Sequence, residues 1–311
     1  MTDKEFWLAP LHGITNYPLR NALQRHFGGI DACITPFLSV QSSGKANKRV
    51  WEDVFPENNI GVGVVPQLIG NEPGQFAGTM MYLNECFGYE RFNVNLGCPS
   101  SKVVRHKRGC ALMTDPDRVE SIVETIASRT NFRLSLKMRL GLKDKSEIFE
   151  ILRRMERYDL DFIVIHPRLG TDLYEGVVDM DTFAECVEMT RHKIMYSGDL
   201  FTKDDYSRIS SRFPQVSSWM SGRGLLRNPF LAEEITGKPT GDRKSRFMDF
   251  YEDYVAMMLS HRGKCAVLSH LKELWHYFAV FCKLTNEELT QLLRLDDLDV
   301  FLPLSRQIIL M

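Results

Sequence analysis

"RLSLKMRLGLKDKSEIFEILRRMERYDLDFIVIHPRLG", residues 133–170, contains two strand patterns joined by one helix pattern. The first and last segments are short apolar runs that end in glycine and charged residues, as buried strands do. Between them, "KSEIFEILRRMERYDL" has apolar residues at helical spacing. The stretch therefore predicts a strand–helix–strand unit of a parallel sheet.

The same unit recurs through the first two thirds of the chain. Strand-like segments begin at Phe6, Asp31, Gly63, Arg91, Arg133, Asp161, Lys193 and Ser217. Their starts are about 24 to 32 residues apart, except for about 42 after the fourth, and a helix pattern fills most intervals. One such helix is "DPDRVESIVETIASRT", for which Asp115 is the predicted N-cap. Eight units predict a (β/α)8 TIM barrel. A doubly wound sheet gives no reason for eight units, and no GxGxxG follows the first strand.

The strand rhythm stops after residue 240. Pro239 and Gly241 stand in a linker, and three segments with apolar and aromatic residues at three- and four-residue spacing follow it. We therefore expect a barrel domain over residues 1–240 and a small all-helical domain over residues 243–311.

The composition is typical of a soluble globular protein. The chain has 311 residues, 44% of them hydrophobic, and no apolar run long enough to span a membrane. Seven cysteines without a CxxC pair indicate neither a disulfide framework nor a metal site. Together with the absence of an N-terminal signal pattern, this favours a soluble cytoplasmic protein.

A net charge of −1 argues against non-specific coating of nucleic acid, but it allows a local basic patch. The oligomeric state cannot be read from the sequence, and a monomer is the expectation.

Polar residues collect where the predicted strands end, which is where TIM barrels carry their active sites. Singly, each has a structural explanation, such as a rim lysine, a core histidine or a buried cysteine. Together they predict a site. The residues are Gln67, Asn95, Cys98, Lys137, Arg139, His166, Arg168, Ser197, Gly198, Asp199 and Ser221 to Gly224.

The last two strand ends suggest a phosphate site. Gly198, Gly222 and Gly224 allow close approach of an anion to the backbone, and Arg223 adds a charged donor. Alternatively, these glycines only make tight turns. Lys137 suits a ring that gains negative charge on reduction, as a flavin does, and Gln67 can bond a ring amide. The histidines and carboxylates lack metal-ligand spacing.

Six segments resemble, in order and spacing, landmark segments of the tRNA-dihydrouridine synthases. They are "LAPLHGITNYPLR", "NVNLGCPSSKV…GCALM", "LKMRLG", "IHPRLGTDLYEG", "SGDL" and "MSGRGLLRNPFL". The similarity spans about residues 6–235, and the helical tail matches that family's tRNA-binding domain in position and size. The resemblance implies an FMN enzyme, reduced by NADPH, that converts uridine in tRNA to 5,6-dihydrouridine.

The resemblance also assigns roles to residues. Cys98 would donate a proton to C5 of uracil after hydride from the flavin reaches C6, because the C4 carbonyl can take up the charge. Asn95, Lys102 and Arg168 would lie near the uridine. The residues expected to hold FMN are Pro10, Leu11, His12, Gln67, Lys137, His166, Ser197, Gly198, Asp199, Gly222 and Arg223.

A basic run on the long loop after the fourth strand predicts contact with RNA. It comprises Lys102, Arg105, His106, Lys107 and Arg108. A solvated loop is the alternative. Because the target base must reach the barrel mouth, we expect it to leave the base stack. Other basic residues that extend the predicted surface are Lys45, Lys48, Arg49, Arg243, Lys244, Arg246, Arg262 and Lys264.

The chain departs from the family pattern at several positions, which are Leu11, Pro36, Pro167, Ser197 and Met180. Ser197 is shorter than the usual asparagine, and Pro36 and Met180 alter the predicted substrate face. Two alternative functions therefore stay open. One is an FMN-dependent reductase of a small unsaturated compound or free pyrimidine, as in dihydroorotate dehydrogenases, and the other is a non-catalytic RNA-binding homologue.

Overall fold

Ten parallel strand segments form one sheet in the computed structural model, which describes residues 4–40 and 51–311. Lys45, Lys48 and Arg49 lie outside the described residues. The strands are β1 (Glu5–Leu8), β2 (Ala32–Ile34), β3 (Leu38–Ser39), β4 (Val64–Val65), β5 (Gln67–Ile69), β6 (Arg91–Leu96), β7 (Arg133–Gly141), β8 (Phe162–Leu169), β9 (Ile194–Tyr196) and β10 (Ser218–Ser221).

The ten segments occupy eight positions around a closed barrel. The sheet order is β3-β5-β6-β7-β8-β9-β10-β1-β2-β4. Segments β2 and β3 belong to one stretch of chain, as do β4 and β5, which are separated only by Pro66. Since β2 pairs with β4 and β3 pairs with β5, the order returns to its starting point. The predicted (β/α)8 barrel is confirmed, and Pro66 divides one strand in two because it has no N–H for the ladder.

Helices connect the strands and follow the barrel. They are α1 (Tyr17–His26), α2 (Pro73–Phe87), α3 (Ser101–Arg105), α4 (Pro116–Arg129), α5 (Ser146–Met155), α6 (Met180–Met189), α7 (Lys203–Arg212), α8 (Arg223–Arg227), α9 (Leu231–Thr236), α10 (Arg243–His261), α11 (Lys264–Phe281), α12 (Asn286–Arg294) and α13 (Leu298–Leu310). The Asp115 carboxylate accepts the Arg118 N–H at 3.1 Å, so the predicted N-cap of α4 is confirmed. Helix α5 ends at Met155, earlier than the predicted helical stretch.

The long connection after β6 folds back on itself above the barrel. It contains α3, a 3₁₀ turn at Gly109–Thr114, and α4. The Cys110 N–H donates to the Cys98 carbonyl at 3.0 Å, which joins the two ends of this loop. Gly109 has φ +58°, and a Cβ there would lie 2.8 Å from the Cys98 carbonyl oxygen, so only glycine fits. The loop that carries Cys98 is therefore fixed by its own backbone.

Residues 243–311 form four helices that pack against the barrel. Helix α10 contacts α1, and the Phe250 ring meets the Phe27 ring edge-on at 5.2 Å. Helix α13 lay in the predicted helical region but was not recognised individually, because Pro303 lies inside it. Buried side chains of these helices and of much of the barrel form one continuous core cluster, while a smaller, separate cluster of barrel residues includes Trp7, Phe162 and Met220. The division into two domains remains a prediction.

No helix in the described part of the chain combines the length and apolar character that crossing a membrane requires. Within the same residues, histidine, cysteine and acidic side chains form no cluster of three or more that could hold a metal ion.

Candidate functional site

Two adjoining cavities open at the C-terminal ends of the barrel strands. The Cys98 cavity, about 560 Å³, is lined by His12, Pro36, Phe37, Asn95, Gly97, Cys98, Pro99 and Arg139. The Asp199 cavity, about 460 Å³, is lined by Ala9, Ser197, Gly198, Asp199, Leu200, Phe201, Gly222, Arg223 and Gly224. Five residues line both cavities, namely Pro10, Leu11, Lys137, His166 and Tyr174. The structure thus brings most of the predicted site residues together in one elongated cleft.

Cys98 lies in a loop whose backbone is held by the preceding strand. The Asn95 side-chain oxygen accepts the N–H groups of Gly97 and Cys98, at 3.1 and 2.9 Å. Burial raises the pKa of the Cys98 thiol, and the nearby Lys137 and Arg139 charges only partly oppose this shift. The thiol is therefore protonated at neutral pH and can act as a general acid.

A chain of hydrogen bonds between buried side-chain amides holds Asn95 in place. Asn95 Nδ2 donates to Gln67 Oε1 at 2.8 Å, and Gln67 Nε2 donates to Asn93 Oδ1 at 2.7 Å. Asn93 Nδ2 in turn donates to Ser135 Oγ at 2.8 Å. Gln67 is fully buried and lines neither cavity, so its contact with a flavin ring stays a prediction. Asn93 and Ser135 were missed because polar residues inside a strand gave no separate signal.

Lys137 is a cation without a partner at the centre of the cleft. It is half-buried, and its ammonium forms no hydrogen bond or ion pair with any residue in the ranges 4–40 and 51–311. Burial lowers the pKa of Lys137 to about 8, and the charge of Arg139 contributes to the shift. The ammonium remains mostly charged at pH 7, and a bound anionic group would compensate it.

Arg168 is enclosed by acceptors from its own chain. Its Nη2 donates to Asp199 Oδ2 at 2.5 Å and to the Gly176 carbonyl at 2.8 Å. Its Nη1 lies 3.2 Å from His166 Nε2. Burial, together with surrounding cations led by Arg139, holds the pKa of His166 well below its usual value, so the imidazole is neutral and accepts this bond. Arg168 lines neither cavity, and these bonds do not favour its predicted contact with uridine.

The loops after β9 and β10 line the Asp199 cavity. Arg223 Nη2 donates to Asp199 Oδ1 at 2.7 Å, which ties the two loops together. A Cβ at Gly198 would lie 2.1 Å from the Tyr196 hydroxyl, and one at Gly224 would lie 1.8 Å from the Leu200 carbonyl oxygen. Tight packing of the turns therefore requires these two glycines, whether or not an anion binds beside them.

Tyr174 was missed by sequence reasoning. It follows β8 in the loop that closes the cleft, and 48% of its surface is exposed. The Arg223 and Arg139 guanidinium groups lie 4.7 and 5.3 Å from its ring centre. Its position depends on these contacts between distant loops, so "TDLYEG" alone could not reveal it.

Seven of the predicted RNA-binding cations fall into two groups. Lys102 and Arg105, on α3, are exposed beside the Cys98 cavity without lining it. With Lys107, they form no ion pair with any residue that the structure describes. By contrast, Arg243, Arg246, Arg262 and Lys264 each pair with a carboxylate, from Glu234, Glu233, Glu52 and Asp299 respectively.

Comparison with known proteins points to one family. The model of a family described as dihydrouridine synthase matches residues 7–290. A tRNA-dihydrouridine(16) synthase of Cupriavidus necator is 29% identical over 243 residues, which cover 76% of this chain and 74% of that protein. A tRNA-dihydrouridine synthase B of Pasteurella multocida is 26% identical over 282 residues, with coverages of 88% and 78%.

Two solved structures share the fold. The old yellow enzyme from Trypanosoma cruzi superposes with a TM-score of 0.53 at 10% identity, covering 75% of this chain and 88% of that chain. A histamine dehydrogenase from Rhizobium sp. 4-9 gives a TM-score of 0.55 at 11% identity, with coverages of 80% and 49%. At these identities the likeness concerns the barrel architecture alone.

Proposed function

This chain belongs to the dihydrouridine synthase family and is an oxidoreductase, and from that premise we propose that it uses FMN and NADPH to reduce the C5=C6 bond of uridines in tRNA. The observation that carries the proposal is the cleft in which the protonated Cys98 thiol and the unpartnered Lys137 ammonium line one cavity. The names of the relatives from Cupriavidus necator and Pasteurella multocida support tRNA as the substrate.

The residues of the cleft fit FMN. Four cations lie in or around it, namely Lys137, Arg139, Arg168 and Arg223, and Asp199 is the carboxylate among the lining residues. This excess of positive charge favours a phosphate and a ring that becomes anionic on reduction. We assign the phosphate end to the Asp199 cavity, which is lined by Arg223 and the glycine-containing turns, and the ring to the junction at Lys137. The bound flavin would supply the hydride that C6 of uracil accepts.

Cys98 completes the reduction by donating its proton to C5. In the complete reduction, C6 gains one hydride and C5 gains one proton. The Cys98 thiolate that remains then regains a proton from solvent. Lys137 and Arg139 stabilise that thiolate, since both charges act to lower the pKa of Cys98. The neutral His166 is a hydrogen-bonding group rather than a second cation.

The RNA is held outside the cleft. Lys102 and Arg105 stand exposed on α3, directly after the Cys98 loop, where backbone phosphates would meet unpaired cations. The target uridine must be extruded from its stack to reach Cys98, which favours tRNA loops over duplex. We further propose a cytoplasmic monomer with a barrel domain at residues 1–240 and a tRNA-binding domain at residues 243–311.

The test is reconstitution with purified protein. We expect a yellow protein that releases FMN on denaturation, and that forms dihydrouridine in tRNA isolated from cells lacking this modification when NADPH is supplied. Dihydrouridine is quantified by mass spectrometry of nucleosides. Colourless protein that takes up no FMN would favour the RNA-binding homologue, and reduction of free pyrimidines but not tRNA would favour the small-substrate reductase.

Replacement of the acid tests Cys98 itself. In Cys98→Ala, NADPH should still bleach the flavin, while dihydrouridine formation should fall roughly a hundredfold or more. Cys86→Ala, which changes an exposed cysteine outside both cavities, is the matched control and should behave as the wild type. Normal turnover by Cys98→Ala would remove Cys98 as the acid.

A further inference from the structure

Two aromatic rings from neighbouring strand ends form a flat stack beside Cys98. The rings of His12 and Phe37 lie 4.5 Å apart, centre to centre, with only 4° between their planes. His12 follows β1 and Phe37 follows β2, and these strands pair in parallel, which brings the two loops together. His12 is exposed and Phe37 is half-buried. The pair therefore presents an aromatic face that is not covered by the core.

The stack forms the wall between the Cys98 cavity and a second opening. Both rings line the Cys98 cavity and also a groove with about 860 Å³ of open space. The groove continues from the stack past Asn16 and Tyr17 to Met258, His261 and Arg262 at the end of α10. A strand of RNA whose uridine enters the Cys98 cavity thus has a path out that passes over the two rings.

The charged groups of this groove neutralise one another. Glu52 pairs with Arg262, and Asp53 pairs with Arg20 at 3.1 Å. Partial burial of the ring lowers the pKa of His12, with Asp53 opposing and Lys102 reinforcing the shift, so the imidazole is mostly neutral at pH 7. Beside the Cys98 cavity, an RNA strand in this groove would therefore contact a pair of uncharged rings rather than unpaired cations.

We propose that the His12–Phe37 stack is a platform for the nucleobase adjacent to the target uridine, an inference that rests on the proposed function. Extrusion of a base from its stack uncovers the face of its neighbour, and an aromatic side chain can cover that face without reading its sequence. His12 lines the Cys98 cavity and the groove but not the Asp199 cavity, so its ring is assigned to the RNA rather than to FMN.

The first test separates RNA binding from cofactor binding. In Phe37→Leu, KM for tRNA should rise roughly five- to hundredfold, the range that loss of one base stack gives, while kcat and FMN content stay near the wild-type values. Phe37→Tyr, which keeps the ring, should restore KM. Tyr82→Leu removes a ring of another aromatic pair, outside these cavities, and is the matched control. If Phe37→Leu does not fold, His12→Leu replaces an exposed ring and makes the same prediction.

The second test removes the base instead of the ring. Once the target is mapped, tRNA transcripts with an abasic nucleotide on either side of it are compared. For the wild-type protein, one of these abasic transcripts should raise KM by the same factor as the Phe37→Leu substitution does with intact tRNA. For the Phe37→Leu protein, that transcript should cause no further rise in KM.

If the ring variant and the abasic tRNA together raise KM by the product of their separate factors, the two changes act independently and the proposed platform is wrong. An unchanged KM in the ring variants would also contradict it. Loss of FMN from these variants would also overturn it and make the stack a cofactor support. Absence of dihydrouridine formation by the wild type is a different result, because it contradicts the proposed function itself.

Discussion

The basic residues of the α3 segment, residues 101–107, and those of residues 243–264 carry the same charge but make different contacts. Lys102, Arg105 and Lys107 are exposed and have no ion pair among the described residues. Arg246, in contrast, donates to both oxygens of Glu233, at 2.7 and 2.9 Å, and to the His26 carbonyl at 2.6 Å. The first group is available to a polyanion, whereas Arg246 in the second joins α10 to the barrel.

Ion pairing decides which of these cations a phosphate can bind. An unpaired exposed cation has only water to give up when it meets a phosphate. A paired cation must first leave its carboxylate, and the loss of that contact offsets much of the gain. The α3 loop is therefore the stronger candidate for phosphate contact, and Arg246 and Arg262 are primarily clamps between barrel and helices.

The largest expected effect concerns Arg246. In Arg246→Met, the methionine keeps packing against Phe27 and Phe230, but Glu233, only 4% exposed, loses its ion-pair partner and keeps only the Gly28 N–H as a donor. We expect the free energy of unfolding to fall by about 3 kcal/mol, the usual loss when one partner of a buried pair is removed. Urea denaturation followed by circular dichroism measures it.

The control for this change removes the carboxylate as well. Arg246→Met combined with Glu233→Leu should recover part of the lost stability, because no charge is left buried without an ion-pair partner, although the Gly28 N–H loses its acceptor. If the single variant is as stable as the wild type, Arg246 is not a clamp and joins the available cations.

The next largest effect concerns the α3 cations. Lys102→Gln with Arg105→Gln should weaken tRNA binding roughly tenfold at about 0.1 M salt, and the slope of log affinity against log salt should become shallower by about 1.5. Stability should stay within about 0.5 kcal/mol. Fluorescence anisotropy of labelled tRNA over a salt series measures both quantities, and an unchanged slope would mean that α3 does not contact phosphates.

The barrel was readable from the sequence because each strand is a buried run with a clear end. The segments beginning at Phe6 and Arg133 needed no tertiary information, and the polar residues at strand ends pointed to one site. The ion pairs of the basic residues could not be predicted, since partners such as Arg262 and Glu52 are 210 positions apart in the sequence. Tyr174 and the His12–Phe37 stack were missed for the same reason, because contacts between loops define them.

A smaller effect is expected from the pH dependence of FMN binding. The pKa of Lys137 is lowered to about 8 by burial and by Arg139, so its ammonium is charged below that pH and neutral above it. Lys137 lines both cavities, so its charge also attracts the FMN phosphate, and affinity should fall about fivefold as pH rises from about 7 to 9.5. Flavin fluorescence titrations measure this change. Lys137→Met should bind FMN more weakly at pH 7 and lose the pH dependence, and a pH dependence that persists in this variant would exclude Lys137 as its origin.

The smallest effect is expected at Lys264, the most exposed of the four paired cations that were predicted to bind RNA. Its ammonium lies 2.5 Å from Asp299 Oδ2, and hydrogen bonding to that carboxylate raises the pKa of Lys264. Both side chains are more than 60% exposed, so the pair is largely screened by water. Lys264→Gln should leave the denaturation midpoint and tRNA affinity unchanged in the same assays. A loss of affinity comparable to that of the α3 variant would show that pairing does not decide which cations RNA uses, and the contrast between the two basic groups would fail.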